Sequence, residues 1–456
     1  MDDLSLAFEL ARRVADAGGR AYFVGGLVRD RLLGLSTEDI DVEVHGLSPA
    51  ALEEILDALG EKTLMGASFG IYGLRHHHLD IAMPRTERAT GGGHRDFTVL
   101  VDPWLGTEKA ARRRDFTVNA MMQDVLTGEI LDPFGGRNDL KNGILRHVCA
   151  ETFVEDPLRV LRGAQFAARF HLLLAPETRE LCRGIDLRPL ARERVYAELC
   201  KALLQADTPS VFFTELRRMG QLSVWFSEIE ALIGVPQNPV YHPEGDVWNH
   251  TMLVLDAAAA LRSQASNPEG FMLSALCHDL GKPATTRLEN GRYRSIGHEQ
   301  AGLRPAEQLL SRLTSDAALH RYVRNMTELH MRPNLLFAQN ARQKAFFQMF
   351  DRSCCPDDLL LLSKADYLGK QRTAEDYAPT GQGLCAQLAA FRERMAQPQV
   401  TGGDLIAAGF SPCPAFCEAL RFSRQLHLAG VPKKDALAQT VSYLQTLLQE
   451  KERAEP

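Results

Sequence analysis

The sequence predicts an α+β fold: a small mixed sheet with flanking helices over residues 1–145, and helices thereafter. Three observations carry this. Short apolar runs in the first third end at glycine pairs or alternate with acidic residues, which is the period of a strand. Beyond Glu151 the apolar residues recur at helical spacing to about residue 450. Proline and glycine there punctuate helices and do not bound strands. Element by element, Leu4 to Gly18 reads as an amphipathic helix closed by Gly18 and Gly19. Ala21–Val24 is a strand running into Gly25 and Gly26. Ile40–Val44 and Leu79–Met83 alternate as half-buried strands do.

The stretch Leu232–Asp246, with Pro236, Pro239 and Pro243, marks the main boundary. A second falls at Gln397-Pro398. The expected partition is 1–145, 146–235, 236–372 and 373–456. No run approaches the roughly 18 to 20 apolar residues of a membrane helix. The first residues, MDDLSLAFELARRV, lack the basic start and apolar core of a secretory leader, so a cytoplasmic protein is expected. Nine cysteines include no C-x-x-C pair, which favours free thiols over a zinc site. Net charge is −6, so any nucleic-acid contact must rest on local basic clusters. Two exist, at Arg85–Arg114 and Arg159–Arg194.

Residues 23–34 read FVGGLVRDRLLG, and Glu38-Asp39-Ile40-Asp41 follows. A strand entering Gly25-Gly26 lets backbone approach a phosphate without a Cβ in the way. The helix opening near Leu27 offers its first N–H groups to phosphate oxygens, and Arg29 in its first turn is placed for a bidentate contact. Asp39 and Asp41, two apart on a strand, face the same side. Paired carboxylates repel unless a cation lies between them, and Mg²⁺ favours oxygen ligands together with substrate phosphates. Asp80, on the next alternating strand, is a candidate third carboxylate.

Further motifs follow in order: RRDFTVNA at 113–120, DPFGGRNDL at 132–140, EDPLRVLR at 155–162 and RVYAEL at 194–199. The ordered set resembles class II tRNA nucleotidyltransferases and bacterial poly(A) polymerases, of the polymerase-β-like superfamily. The resemblance implies a nucleotidyltransferase head (1–145) and a helical neck (146–235). In it, Asp39 and Asp41 hold the catalytic Mg²⁺, and Gly25, Gly26, Arg29 and Arg114 meet the triphosphate. Asp156 and Arg159, three apart, then read the Watson–Crick edge of C or A, with Arg162 continuing that face toward the phosphates. Asp30 and Glu155, inside the same motifs, complete the candidate set. Gln165 stands where some members carry arginine, which puts one phosphate contact in question. The glycine-rich stretch from Gly91 to Gly106 corresponds to a flexible loop that helps the switch from C to A addition. Asp102-Pro103-Trp104-Leu105 within it favours full CCA or A-only addition over CC-only.

A second constellation comprises His250, His278-Asp279, His298, His330 and Asp366. Adjacent His and Asp point about 100° apart on a helix, so amphipathicity does not explain them, whereas a metal does. The set resembles HD-domain phosphohydrolases. That resemblance implies a divalent metal, of unspecified identity, on His250, His278, Asp279 and Asp366. His298 and His330 then take a second metal or the phosphate. The expected substrates are 2′,3′-cyclic phosphates or phosphomonoesters, and the expected region is 236–372. The helical tail, 373–456, is expected to touch tRNA, and Cys413 and Cys417 lie in its otherwise glycine-rich loop.

The expected function is addition of CCA to tRNA from CTP and ATP, with HD phosphohydrolase activity. An A-adding enzyme or poly(A) polymerase uses the same residues, but the mixed-charge end QEKERAEP lacks the basic tail expected of the latter. An HD hydrolase with a nucleotide-sensing first region is the alternative from another class. A non-catalytic RNA scaffold would leave both acid sets idle.

Overall fold

The computed structural model describes residues 2–36, 39–65, 71–89 and 97–454. Glu38, Gly91 and the residues 92–96 of the glycine-rich stretch lie outside these. By internal contacts the chain forms two units: 1–230 with 312–314, and 231–311 with 315–456.

The first unit begins with the helix Asp3–Asp16, capped where the Asp2 carboxylate accepts the Ser5 amide. A seven-stranded sheet follows: β1 (Arg20–Val24), β2 (Ile40–His45), β3 (Lys62–Met65), β4 (Ile71–Leu74), β5 (Leu79–Ala82), then β8 (Met122–Asp124) and β9 (Ile130–Leu131). Its order is β3-β4-β5-β2-β1-β8-β9. Only β2 and β5 run parallel, with Asp41 opposite Asp80. Between β5 and β8, β6 (Arg85–Ala89) and β7 (Phe97–Val101) form a separate antiparallel ladder. The sequence reading made residues 91–106 one loop, whereas 97–101 pair as a strand. The β-forming Phe97-Thr98-Val99-Leu100-Val101 run explains the ladder.

Strand β2 differs from the expected half-buried strand. Ile40, Val42 and Val44 are buried on one face, and Glu43 and His45 are buried on the other. A polar face can be buried only when its groups are paired, and that pairing builds the site below.

The rest of this unit is helical. The helix Leu158–Phe170 packs against Arg192–Gln205 and Ser210–Arg218. Phe116 meets Phe153 and Phe166 edge to face, at centroid separations of 5.5 and 5.8 Å. These rings fasten the RRDFTVNA segment to the long helix.

The second unit is built on the helices Val247–Ala259, Pro268–Cys277, Ala317–Leu329 and Pro356–Leu368. Leu273, Leu276, Val254 and Leu362 are among its fully buried residues. The expectation of helices alone is corrected by a tight hairpin, Arg287–Glu289 with Arg292–Arg294. Asn290 and Gly291 turn it with φ of 49° and 72°, the positive pair that a two-residue turn matching strand twist demands. The last helices are Ala374–Ala396, Gly402–Ala407, Ala415–Leu428 and Lys433–Ala454, the latter three sharing a small core of Leu405, Phe416, Ala419 and Leu444.

Candidate catalytic and metal centres

At the end of β1, Gly25 adopts φ 69°, ψ −132°, which a side chain rarely tolerates. A Cβ there would stand 3.2 Å from Arg114 Nη1 and 3.3 Å from Asp41 Oδ2. The bare glycine thus leaves the space in which a carboxylate and a guanidinium meet. Burial pushes the Asp41 carboxyl above its ordinary range; Arg114 pulls it down, and Asp80 and Asp39 push it up again. Asp80 is raised by its own burial and by Asp39. Asp39, Asp41 and Asp80 therefore repel one another at the ends of the adjacent inner strands β2 and β5, beside Gly25. That mutual repulsion is what a bound cation relieves, so the residues fit Mg²⁺.

Glu43 continues the same face of β2 and was missed in the sequence. It is 1% exposed. Its Oε1 is 2.9 Å from His45 Nε2, and its Oε2 is 3.5 Å from Arg113 Nη2 and 3.6 Å from Arg114 Nη2. Burial alone would raise its pKa. The His45 hydrogen bond and the two arginines outweigh that and bring it to about 2. The D-x-D-x-E alternation was the available signal, since no apolar core explains a third acid on one strand face.

Arg29 differs from the expected outward phosphate contact. Its Nε donates to Asp30 Oδ1 at 2.8 Å and its Nη1 to Asn119 Oδ1 at 2.7 Å, over the Phe170 ring. It is 5% exposed and braces the glycine loop from inside. The loop's helix, Gly26–Leu33, is short, and ring stacking with a carboxylate partner holds the guanidinium inward. Asn119 in turn donates to Asp115 Oδ1, and Arg162 grips Asp115 Oδ2 through Nε (2.8 Å) and Nη2 (2.7 Å). Asp115 is held below its usual range despite burial, by Arg162 first and by Asn119.

Asp156 and Arg159 do not share a helix face as expected. The helix begins at Leu158, and Asp156 precedes Pro157, where the helical conformation is disfavoured. The Asp156 side chain accepts the Leu158 amide and pairs with Arg194 at 3.0 Å. Arg159 donates to the carbonyls of Thr152 (2.7 Å) and Arg113 (2.6 Å). Arg113 therefore touches both Glu43 and Arg159. Gln165 is 1% exposed, and neither of its amide atoms has a partner among the described residues. Glu155 is exposed.

In the second unit four histidines converge. His278 and His330 follow directly on the last residues of their helices. Their Nδ1 atoms donate to the carbonyls three residues back, Ala275 and Thr327, each at 2.8 Å. His298 does the same to Ser295 at 2.7 Å. A carbonyl can only accept, so Nδ1 carries the hydrogen and Nε2 is left as a lone pair. His250 differs: its Nδ1 lies 2.8 Å from Glu244 Oε1 as a charge contact without hydrogen-bond geometry.

The Nε2 atoms meet: those of His250 and His278 are 3.4 Å apart, those of His298 and His330 3.3 Å. Asp279 stands between the pairs. Its Oδ2 is 3.2 Å from His278 and 3.6 Å from His250; its Oδ1 is 3.3 Å from His298 and 3.8 Å from His330. Asp366 Oδ1 adds a contact to His250 at 3.0 Å. Burial, with the charges of its neighbours, pushes His330 down to about 3. Lone pairs that close are tolerated when a cation lies among them, so the donor set fits a divalent metal. The two oxygens of Asp279 face two nitrogen pairs, so room for a second metal follows from the same geometry.

Gly281 allows this assembly, because a Cβ there would lie 2.0 Å from the His298 carbonyl. Glu244, His242, Lys282 and Lys370 went unassigned in the sequence. Glu244 is 9% exposed and set against both His242 and His250. Lys282 Nζ contacts Asp279 (2.6 Å) and Gln237 (2.7 Å); Lys370 Nζ contacts Asp366 (2.8 Å). The HDLGK and D-x-x-x-K spacings were visible, but nothing in them placed a lysine beside a ligand.

A family model for the poly A polymerase head domain matches residues 21–146, and one for the HD domain matches 247–370. A multifunctional CCA protein of Actinobacillus pleuropneumoniae serotype 5b (strain L20) is 41% identical over 316 residues, covering 68% of this chain and 74% of that protein. Two solved structures share the fold. One is the Bacillus stearothermophilus CCA-adding enzyme in complex with CTP (TM-score 0.67, 21% identity, 99% and 100% of the two chains). The other is the Thermotoga maritima CCA-adding enzyme complexed with tRNA (TM-score 0.62, 18% identity, 97% and 99%). No helix of the described residues is long and apolar enough to cross a membrane. With Asp41 and Arg114 beside the Gly25 turn, helices after the sheet and an HD cluster in one chain, and with a relative of this identity and coverage, the chain belongs to the multifunctional CCA protein family.

Proposed function

We propose that this protein adds C, C and A, from CTP and ATP, to the 3′ end of tRNA, and that its HD cluster hydrolyses phosphate esters. The observation carrying the first activity is the meeting of Asp41 and Arg114 over Gly25, with Asp39 and Asp80 alongside. Family membership supports the same reading, as do the CTP and tRNA complexes of the structural relatives. Asp39 and Asp41, with Asp80, would hold Mg²⁺. When bound, Mg²⁺ neutralises charge on the triphosphate and makes the RNA 3′-hydroxyl a better nucleophile.

The chain's own side chains do the rest. Arg114 pairs with the triphosphate, and Gly25 and Gly26 let it lie close to backbone. Asp156 and Arg159 face the base: a carboxylate accepts the exocyclic amine that C and A both carry, and a guanidinium donates to their ring acceptors. Arg194 and the Thr152 and Arg113 carbonyls preset those two side chains. In the reaction the 3′-oxygen bonds to the α-phosphorus, the bond to pyrophosphate breaks, and the hydroxyl proton leaves to solvent.

In the second unit His250, His278, Asp279 and Asp366 would hold the divalent metal, and His298 and His330 a second metal or the phosphate. Water adds to phosphorus and a P–O bond to the ribose breaks. The substrates are 2′,3′-cyclic phosphates or phosphomonoesters. The working partition is a head at 1–145, a neck at 146–235, an HD region at 236–372 and a tRNA-contacting tail at 373–456, in a cytoplasmic enzyme.

The test is tRNA lacking its last three nucleotides. CTP alone should extend it by two residues, and CTP with ATP by three. Long A tails from ATP alone would select the poly(A) polymerase reading.

A further inference from the structure

Beside the HD cluster lies a cavity of about 440 Å³ whose wall is far more than a metal requires. At its base stand Asp279, His298 and Asp366 of the donor set. Its outer wall is the Arg287–Arg294 hairpin with Ser295 and Ile296, faced by Asn238, Tyr241 and His242. Four cations line it (Lys282, Arg292, Arg294 and Lys370) against two carboxylates, both within the donor set. The chain as a whole is acidic, so this wall opposes the overall charge.

Apolar side chains stand exposed at the same mouth. Tyr241 is 58% exposed, Ile296 72%, Tyr293 38% and the neighbouring Val240 74%. Exposed aromatics beside arginines that have no ion-pair partner among the described residues are what single-stranded RNA uses, its bases stacking while its phosphates pair. The hairpin is a firm platform, since Asn290 and Gly291 set its turn and Thr286 ties to Ser295 across its base at 2.8 Å.

We infer that the hairpin and Tyr241 form a lip that binds the RNA segment just inside a 3′-terminal phosphate, so that the HD site selects RNA ends over mononucleotides. This rests on the phosphohydrolase reading for the chemistry, but not for the binding. The terminal phosphate reaches the donor cluster. The next phosphates meet Arg292 and Arg294, and the last bases stack on Tyr241 and Tyr293.

The experiment compares two substrates of the metal-loaded full chain: 2′,3′-cyclic AMP, and a short oligoribonucleotide ending in a 2′,3′-cyclic phosphate. The intact protein should favour the oligonucleotide in kcat/KM by tenfold or more. The double variant Arg292→Ser, Arg294→Ser should lose most of that preference through KM, with cyclic AMP turnover unchanged. Two lost phosphate contacts should also flatten the salt dependence of the oligonucleotide log KM by about 1.4. In parallel, an oligoribonucleotide with a stable 3′-phosphate and a 4-thiouridine before its last residue is photo-crosslinked to the protein. Adducts should map to 240–241 or 287–296. If they map there and neither substrate is hydrolysed, the lip stands and the phosphohydrolase reading falls. Equal loss on both substrates, or adducts confined to 1–230, would overturn the lip.

Discussion

Glu43 Oε2 lies 3.6 Å from Arg114 Nη2, and Arg114 Nη1 lies beside Gly25 and Asp41. A buried anion one step along β2 thus holds the cation proposed for the triphosphate. Replacing it should loosen Arg114 without touching a metal ligand. Glu43→Gln is expected to raise KM for CTP and ATP about tenfold, the loss of one charge-assisted contact, while kcat changes less. Steady-state kinetics at saturating tRNA decides this; an equal fall in kcat with KM unmoved would show that Glu43 only supports the fold.

The same residue makes stability depend on acidity. Its folded pKa, about 2, is below the ordinary 4.5. Its contribution is therefore complete above pH 4.5 and is lost as pH falls from there toward 2. The size is roughly 3 kcal/mol. Urea unfolding of the parent and Glu43→Gln should differ by about that at pH 7, by roughly half as much at pH 3, and converge only as pH reaches about 2. A constant gap across the range would refute the assignment.

How far the sequence anticipated this follows from what kind of signal each residue leaves. The strand glycines, Asp39-x-Asp41 and the clustered HD histidines and aspartates are read from spacing, because strand period and motif order put them together. Glu43 acts through Arg113 and Arg114, far along the chain, and no local pattern reports such a contact, whereas Glu244 and Lys282 have near partners in His242, His250 and Asp279 whose convergence spacing alone does not reveal. Arg29 shows the converse: its motif position suggested a ligand contact, but stacking on Phe170 and the pairs with Asp30 and Asn119 turn it inward. Pro157 shifted Asp156 off the helix face, a local rule that helical spacing alone overlooks. The Asn290-Gly291 hairpin was legible from its turn pair and was hidden by the strong helical period around it.

Arg162 grips one oxygen of Asp115 with two N–H groups, joining the RRDFTVNA segment to the long helix Leu158–Phe170. Asp115 is almost fully buried, while Arg162 keeps some solvent contact. Asp115→Asn would leave that cation without its counter-charge. Breaking a buried pair costs about 3 to 5 kcal/mol, and the solvent reaching Arg162 brings the expected loss to about 2 to 3 kcal/mol. Chemical denaturation measures it. A second change, Arg162→Met, should restore part of the loss; further destabilisation would mean that the pair's role is packing.

Arg194 holds the Asp156 carboxylate at 3.0 Å, and the Leu158 amide fixes it from the other side. With Arg194→Met the carboxylate keeps its identity and loses its orientation. A base reader that is less firmly held discriminates less, since the wrong base no longer leaves a fixed group unpaired. UTP incorporation relative to CTP should rise about tenfold, read by sequencing the products. An unchanged ratio with slower addition would assign Arg194 to RNA binding instead.

Glu244 Oε1 is 2.8 Å from His250 Nδ1 and 2.8 Å from His242 Nδ1. The other three histidines are oriented by backbone carbonyls, which no substitution removes. His250 alone has a carboxylate in place of a carbonyl beside its Nδ1. Outer partners of metal-bound histidines typically contribute 10- to 100-fold in metal affinity. Glu244→Gln keeps an oxygen in reach but removes the charge that raises the basicity of His250, so Mn²⁺ binding should weaken by about tenfold. Glu244→Ala removes the acceptor as well and should approach the upper end of that range. Calorimetric titration of the full chain reads both values, with the tRNA extension assay confirming that the head is intact. Should both variants bind Mn²⁺ as tightly as the parent, the orientation of His250 would have to come from Asp366 alone, and the metal would lie nearer the His298 and His330 pair.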